Sequence, residues 1–177
     1  RIENILRIPL PNRLWFFYGG LTVFLGYEFM DGEGKLMGLA PYGNKSEYYN
    51  SMKKLCKIKK SGYKTNSKFF RLDRFPVDEA QVLKTFGKPP SETRNLHKIK
   101  KYRDIAWALQ KRLEEVVLEF LEKHIANDRL SLAGGVALNC KMNGVILKES
   151  GIKDIFIQPA AADSGTSLGA ALELAHK

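Results

Sequence analysis

Cysteine is scarce in this chain, with only Cys56 and Cys140 among 177 residues. Two distant thiols make neither a disulfide framework nor a metal site by spacing, so a reducing, cytoplasmic setting is expected. Long apolar runs are missing too. No stretch approaches the roughly 20 residues of a membrane-spanning helix, so a soluble protein with no membrane partner is expected. Histidine is limited to His97, His124 and His176, too scattered for a His-x-x-x-His pair. His124 and His176 fall late in helical patterns, where a cation suits the helix dipole. Repeats and low-complexity tracts are absent, and no segment reads as a secretory leader. The chain starts at Arg1 without Met and stops inside a helical pattern, so a piece of a longer protein is expected.

What is present describes one folded domain, 44% hydrophobic and 11% aromatic. The net charge of +10 is unevenly placed: from Lys45 to Arg103, seventeen Lys and Arg face five Asp and Glu. The run Lys53, Lys54, Lys57, Lys59, Lys60, Lys64 and Lys68 could hold phosphates or nucleic acid. The simpler reading is the solvated face of a small basic α+β insertion, residues 45–103, because Lys carries little base-reading chemistry. Tyr48, Tyr49, Tyr63, Phe69 and Phe70 are expected to pack rather than to stack on bases. Nucleic acid is therefore not an expected partner.

Along the chain, Asn4 to Pro9 reads as a short strand and Arg13 to Tyr27 as an apolar core helix carrying Leu14, Phe17, Leu21, Phe24 and Leu25. Asp31 to Asn44 reads as a loop punctuated by Gly32, Gly34, Gly38 and Gly43. A helix is expected over Tyr48 to Ile58, a β excursion over 62–75, and weak order from Thr85 to Lys101. Arg103 to Asn127 has the clearest helical period, with Ile105, Leu109, Leu113, Val116, Val117, Phe120 and Leu121 on one face.

The last third is the most informative. Ser131 to Ala133 ends a buried strand, and Gly134 and Gly135 let the backbone turn tightly beside a ligand. A helix is expected from Val136 to Glu149, with Gly151 as its stop. Asp154 to Gln158 is a second strand, Pro159 to Ala162 the crossing, and Asp163-Ser164-Gly165 the opening of a last helix through Leu168, Leu172 and Ala175. This order implies parallel strands. Read alone, Asp163 fits an N-cap.

Three motifs, DGEGKLMGLAPYG (31–43), LAGGVALN (132–139) and QPAAADSGTSLGAA (158–171), together resemble the O-carbamoyltransferase family of nodulation-protein, cephalosporin and aminoglycoside carbamoyltransferases. The helix DIAWALQKRLEEVV (104–117) is similar as well, and the likeness is weakest from Gly62 to Lys101. The resemblance implies an α/β fold of the RNase H-like, actin-like ATPase class, with a parallel sheet flanked by helices. Residues 1–177 would be the second half of that domain, and the rest of the parent chain would include a YrdC-like domain.

It further implies ATP-dependent transfer of a carbamoyl group from carbamoyl phosphate, through carbamoyl-adenylate, to a hydroxyl of a small-molecule acceptor. Gly134, Gly135, Val136, Asn139, Ser164 and Gly165 match nucleotide-binding positions, and Asp163 matches a ligand of an Fe²⁺-type metal. The two His ligands of that metal are missing from this chain. Asp31, Glu33 and Lys35 match charged positions at the transfer site, where Lys35 would neutralise anionic charge and a carboxylate would take the acceptor proton. Tyr42 and Asn44 would flank the acceptor. The isolated chain is expected to turn over little. Two other readings stay open: a related actin-like threonylcarbamoyl- or phosphoryl-transfer enzyme, and a non-catalytic nucleic-acid-binding module acting through the basic segment.

Overall fold

The core is built on two helices, α1 (Leu14–Phe24) and α5 (Lys100–His124). The structure, a computed structural model, describes residues 3–10, 12–66, 68–70 and 77–176. α1 buries Phe17, Leu21 and Phe24, and Leu25 beyond its end is buried as well. α5 lays Ile105, Leu109, Leu113 and Val116 along its buried stripe, which follows the 3.6-residue period. Both helices were expected from this apolar spacing. Asn4 to Pro9, expected as a strand, joins no ladder among the described residues, and Ile5 stands 77% exposed. A strand needs a partner ladder, whereas Gly62–Thr65 is met by the Ile8 side chain and, just past the segment, by the Asn12 side chain.

The Gly-punctuated stretch is not a loop. It forms α2 (Glu33–Leu39), followed by a 3₁₀ turn over Ala40–Tyr42. Leu36 and Leu39 are buried anchors, and the Asp31–Lys35 ion pair spans one helical turn at 3.0 Å. Gly34 and Gly38 face open space, where a missing side chain costs helix propensity but breaks no packing. Gly43 differs: a Cβ there would lie 2.0 Å from the Arg103 carbonyl oxygen. This close approach seats the turn on α5, where the Asp104 carboxylate accepts from the Asn44 N–H at 2.9 Å.

The basic segment contains α3 (Glu47–Leu55), the strands β1 (Cys56–Lys59) and β2 (Gly62–Thr65), and α4 (Glu79–Phe86). The helix expected to reach Ile58 stops at Leu55, because Cys56 turns extended and begins an antiparallel hairpin with β2. The β excursion is realised in β2, while Ser67 and residues 71–76 lie outside the described residues. Thr85, expected to open a weakly ordered passage, belongs to α4, which is capped by the Asp78 carboxylate accepting from the Gln81 N–H at 3.1 Å. Beyond it, a 3₁₀ turn at Leu96–Lys98 buries Leu96. Tyr49, Phe69 and Phe70 are buried, and Tyr48 and Tyr63 pack against the core, as the packing reading requires.

The last third contains β3 (Arg129–Leu132), α6 (Cys140–Glu149), β4 (Asp154–Ile157) and α7 (Gly165–Ala175). β3 and β4 pair in parallel, from Arg129 opposite Asp154 to Leu132 opposite Ile157. The fold is thus mixed α/β with a parallel pair among helices. The helix expected from Val136 is split: Gly135–Leu138 form a 3₁₀ turn, and α6 begins at Cys140, capped by Asn139. Gly151, at φ 77, ends α6 in the left-handed conformation expected of its stop. At α7 the N-cap position belongs to Ser164, not Asp163, whose carbonyl accepts from the Thr166 N–H at 3.1 Å.

Gly43→Ala is expected to lower stability by about 1–3 kcal/mol, since backbone blocks the new methyl. Gly38→Ala, on the open side of α2, is expected to be neutral or to stabilise by up to about 1 kcal/mol. Urea unfolding of the two variants checks both. Burial pushes the Cys56 thiol up to about 12, whereas Cys140 is exposed. Iodoacetamide near neutral pH is therefore expected to label Cys140 in the folded protein and spare Cys56 until it unfolds.

Candidate functional site

Segments far apart in sequence meet at one cavity of about 310 Å³. Trp15 and Tyr18 of α1 form one wall, and Met30, Asp31, Glu33 and Met37 a second. Gly135, Val136, Leu138 and Asn139 close the third, with Ala162 beside them. The volume is at the small end of ligand pockets.

Gly134 makes the third wall possible. Its φ of 96 and ψ of 163 lie where L side chains are strained, so glycine is required there. Its N–H donates to the Ala161 carbonyl at 2.6 Å, which ties the first small-residue turn to the crossing before α7. A Cβ on Gly135 would meet only Trp15 Cδ1, at 3.8 Å, so this position is open toward the cavity. The next N–H groups close the 3₁₀ turn, Ala137 onto Gly134 and Asn139 onto Val136. Those of Gly135 and Val136 have no acceptor among the described residues, which leaves two backbone donors on cavity-lining residues.

Behind Asn139 is a buried polar chain. The amides of Gln110 and Asn139 pair reciprocally, Gln110 Nε2 donating to Asn139 Oδ1 at 3.0 Å and Asn139 Nδ2 to Gln110 Oε1 at 2.9 Å. Gln110 Nε2 also donates to Glu114 Oε1, and Tyr18 donates to Gln110 Oε1, both at 2.9 Å. The Glu114 carboxylate can only accept, so it fixes the Gln110 amide, which in turn fixes that of Asn139. Asn139 Oδ1 is then filled by Gln110 and the Met142 N–H at 2.9 Å. Burial, opposed in part by a hydrogen bond from Asn139 and reinforced by the Glu114 charge, holds the Tyr18 phenol well above its ordinary range, so it stays a neutral donor.

The two carboxylates differ. Glu33 is half-buried and accepts the Met30 N–H at 3.1 Å, closing a turn in which Met30 has a left-handed φ of 69. Asp31 is exposed and paired with Lys35. That pairing raises the Lys35 pKa, through the hydrogen bond first and charge second.

Of the expected site residues, Asp31, Glu33, Gly135, Val136 and Asn139 line this one cavity. Lys35 and Tyr42 do not. They line a more open cleft of about 320 Å³ on the far side of α2, with Tyr27 and His97, and the Tyr42 and His97 ring centroids are 5.6 Å apart. Asn44 is engaged by Asp104. Gly134 lies behind the cavity wall, and Asp163, Ser164 and Gly165 sit just past Ala162 at the start of α7, with Asp163 exposed. Among the described residues no three His, Cys, Asp or Glu side chains cluster as a metal site. Tyr18, Gln110 and Glu114 were missed by the sequence reading. The signal was a polar pair one turn apart, Gln110 and Glu114, set beside the apolar face of α5.

The chain matches, over residues 2–172, the family described as Carbamoyltransferase N-terminus. It is 33% identical to the nodulation protein NolNO of Sinorhizobium fredii, over 99% of this chain and 25% of that protein. It is 36% identical to the nodulation protein NolO of Bradyrhizobium diazoefficiens, over 97% of this chain and 30% of that protein. An uncharacterized protein of Synechocystis is 35% identical over 96% of the chain and 28% of its own length. A mixed α/β unit with a ligand-sized cavity at a glycine turn is the class that fold and site define. The chain belongs to the carbamoyltransferase N-terminus family, and it spans about a quarter to a third of the length of these relatives.

Gln110→Leu would leave the Asn139 amide, the Glu114 carboxylate and the Tyr18 hydroxyl without their shared partner. A loss of about 1–3 kcal/mol for each group left unpaired is expected. Tyr18→Phe removes a single hydrogen bond and is expected to cost about 1 kcal/mol. Thermal unfolding followed by circular dichroism separates the two.

Proposed function

We propose that this chain forms the nucleotide-facing and transfer-site wall of an ATP-dependent O-carbamoyltransferase with an actin-like nucleotide-binding domain. The observation that carries the proposal is the meeting of Asp31 and Glu33 with Gly135, Val136 and Asn139 around one cavity, in a chain of this family. The ligand is a nucleotide-linked carbamoyl group derived from ATP and carbamoyl phosphate. The N–H groups of Gly135 and Val136 donate to its oxygens, and Trp15 offers an apolar flank.

In the transfer step the acceptor oxygen bonds to the carbamoyl carbon, the bond from that carbon to the nucleotide phosphate oxygen breaks, and AMP leaves. The acceptor proton passes to a carboxylate. Asp31 takes it, because Glu33 is held by the Met30 N–H while Asp31, paired with Lys35, stands exposed on the cavity wall. Lys35 thus acts through Asp31 rather than on phosphate. The acceptor is a small hydroxyl compound.

Among the described residues no three His, Cys, Asp or Glu side chains cluster, and Asp163 alone does not hold Fe²⁺. The remaining domains of the parent chain, a YrdC-like domain among them, complete the enzyme. The exposed apolar side chains of Phe156, Leu168 and Leu172 offer them a surface.

Calorimetry of the full-length protein with ATP tests the reading. Gly135→Val is expected to abolish binding with little change in unfolding temperature, because its Cβ enters open cavity space. Asp31→Asn is expected to lower kcat by about 10²–10⁴-fold and Glu33→Gln by less than about tenfold. ATP binding that survives Gly135→Val contradicts the site assignment.

A further inference from the structure

The hairpin of β1 and β2 carries an uncompensated charge. Lys57 stands directly opposite Lys64 in the antiparallel register, and Lys59 lies two residues along the same strand face. Like charges placed opposite one another destabilise a sheet pair. Lys54, Lys57, Lys59, Lys60 and Lys64 are all exposed, and none has an ion-pair partner among the described residues. The other face of the ribbon is spent on the core, with Ile58 opposite Tyr63 and the Tyr63 ring against Phe120 at 6.2 Å. Lys57, Lys59 and Lys64 therefore form an outward cationic face, with exposed Lys54 and Lys60 next to it in the chain.

The N-terminal segment runs along the free edge of this ribbon. Asn12 Oδ1 accepts from the Thr65 N–H at 3.1 Å, and Ile8 lies against Gly62. The segment carries Ile5, 77% exposed, Leu6 at 38% and Leu10 at 47%, with Arg7 and Arg13 exposed among them. Exposed branched apolar side chains beside a lysine cluster give the two signals a peripheral membrane contact needs, shallow apolar insertion and attraction to anionic headgroups.

We propose that the β1–β2 ribbon, together with Ile5, Leu6, Arg7, Leu10 and Arg13, forms a docking surface for an anionic phospholipid bilayer. The features separate it from a nucleic-acid surface. The cations on the ribbon are lysines, the aromatics that would stack on bases, Tyr49, Phe69 and Phe70, are buried, and exposed Ile and Leu find no use on a phosphate backbone. Among the described residues no helix is long and apolar enough to cross a membrane, but that concerns spanning. The sequence expectation of no membrane partner rested on span length alone, and a surface contact needs no span.

Co-sedimentation of the full-length protein with extruded vesicles tests the proposal. The protein is expected to bind vesicles of phosphatidylcholine with about 30 mol% phosphatidylglycerol and not phosphatidylcholine alone, and to be released between ~0.1 M and ~0.5 M salt. The triple variant Lys57→Glu, Lys59→Glu, Lys64→Glu is expected to bind at least about a hundredfold more weakly. Ile5→Ser with Leu6→Ser, at exposed positions that leave the core untouched, is expected to weaken binding while the salt dependence persists. Failure of the unmodified protein to bind anionic vesicles overturns the proposal. So does vesicle binding that both variants retain, and so does lysine-dependent binding of duplex DNA in the absence of vesicle binding.

Discussion

The reciprocal amide pair between Gln110 and Asn139 is the constraint on which the site depends. It joins the middle of α5 to the turn that carries the cavity's backbone donors, and it leaves Asn139 a single orientation. Asn139 does two further things at once: it caps α6 and ends the 3₁₀ turn begun at Gly135. Without a fixed Asn139, neither the start of α6 nor the direction of the turn is specified. Because the pair is buried next to the Glu114 carboxylate, exchanging its partners for water would also strip that carboxylate of the Gln110 amide, its side-chain partner among the described residues.

α2 partitions the chemistry. Its Asp31 and Glu33 side lines the closed cavity, and its Lys35 and Tyr42 side lines the open cleft, so the Asp31–Lys35 ion pair reaches from one compartment to the other. Gly43 presses the end of this unit onto the backbone of α5. One long helix thus positions both the carboxylates and the glycine turn, which explains how residues so separated in sequence share a wall.

Much of this was legible in the sequence where apolar spacing decides structure. α1, α5 and the parallel strands follow from runs whose period admits one reading, and Gly151 stops its helix for a stated steric reason. The DGEGKLMGLAPYG stretch misled because glycine marks turns on average, whereas here Leu36 and Leu39 supply enough burial to hold a helix through Gly34 and Gly38. α4 was hidden because its start is set by one Asp78 cap, and Asn4 to Pro9 has strand composition without a neighbour to pair with. In the site, carboxylates and glycines stood out through motif resemblance. Tyr18, Gln110 and Glu114 did not, because which buried polar groups meet is a property of the packed chain.

Photo-crosslinking decides whether the turn before α2 and the glycine turn after β3 enclose one nucleotide, as proposed. The full-length protein is irradiated with 8-azido-ATP and the labelled peptides are sequenced. Label on peptides spanning 28–39 and 129–142, competed away by ATP, is the expected result. Label confined to peptides outside this chain's residues contradicts that enclosure.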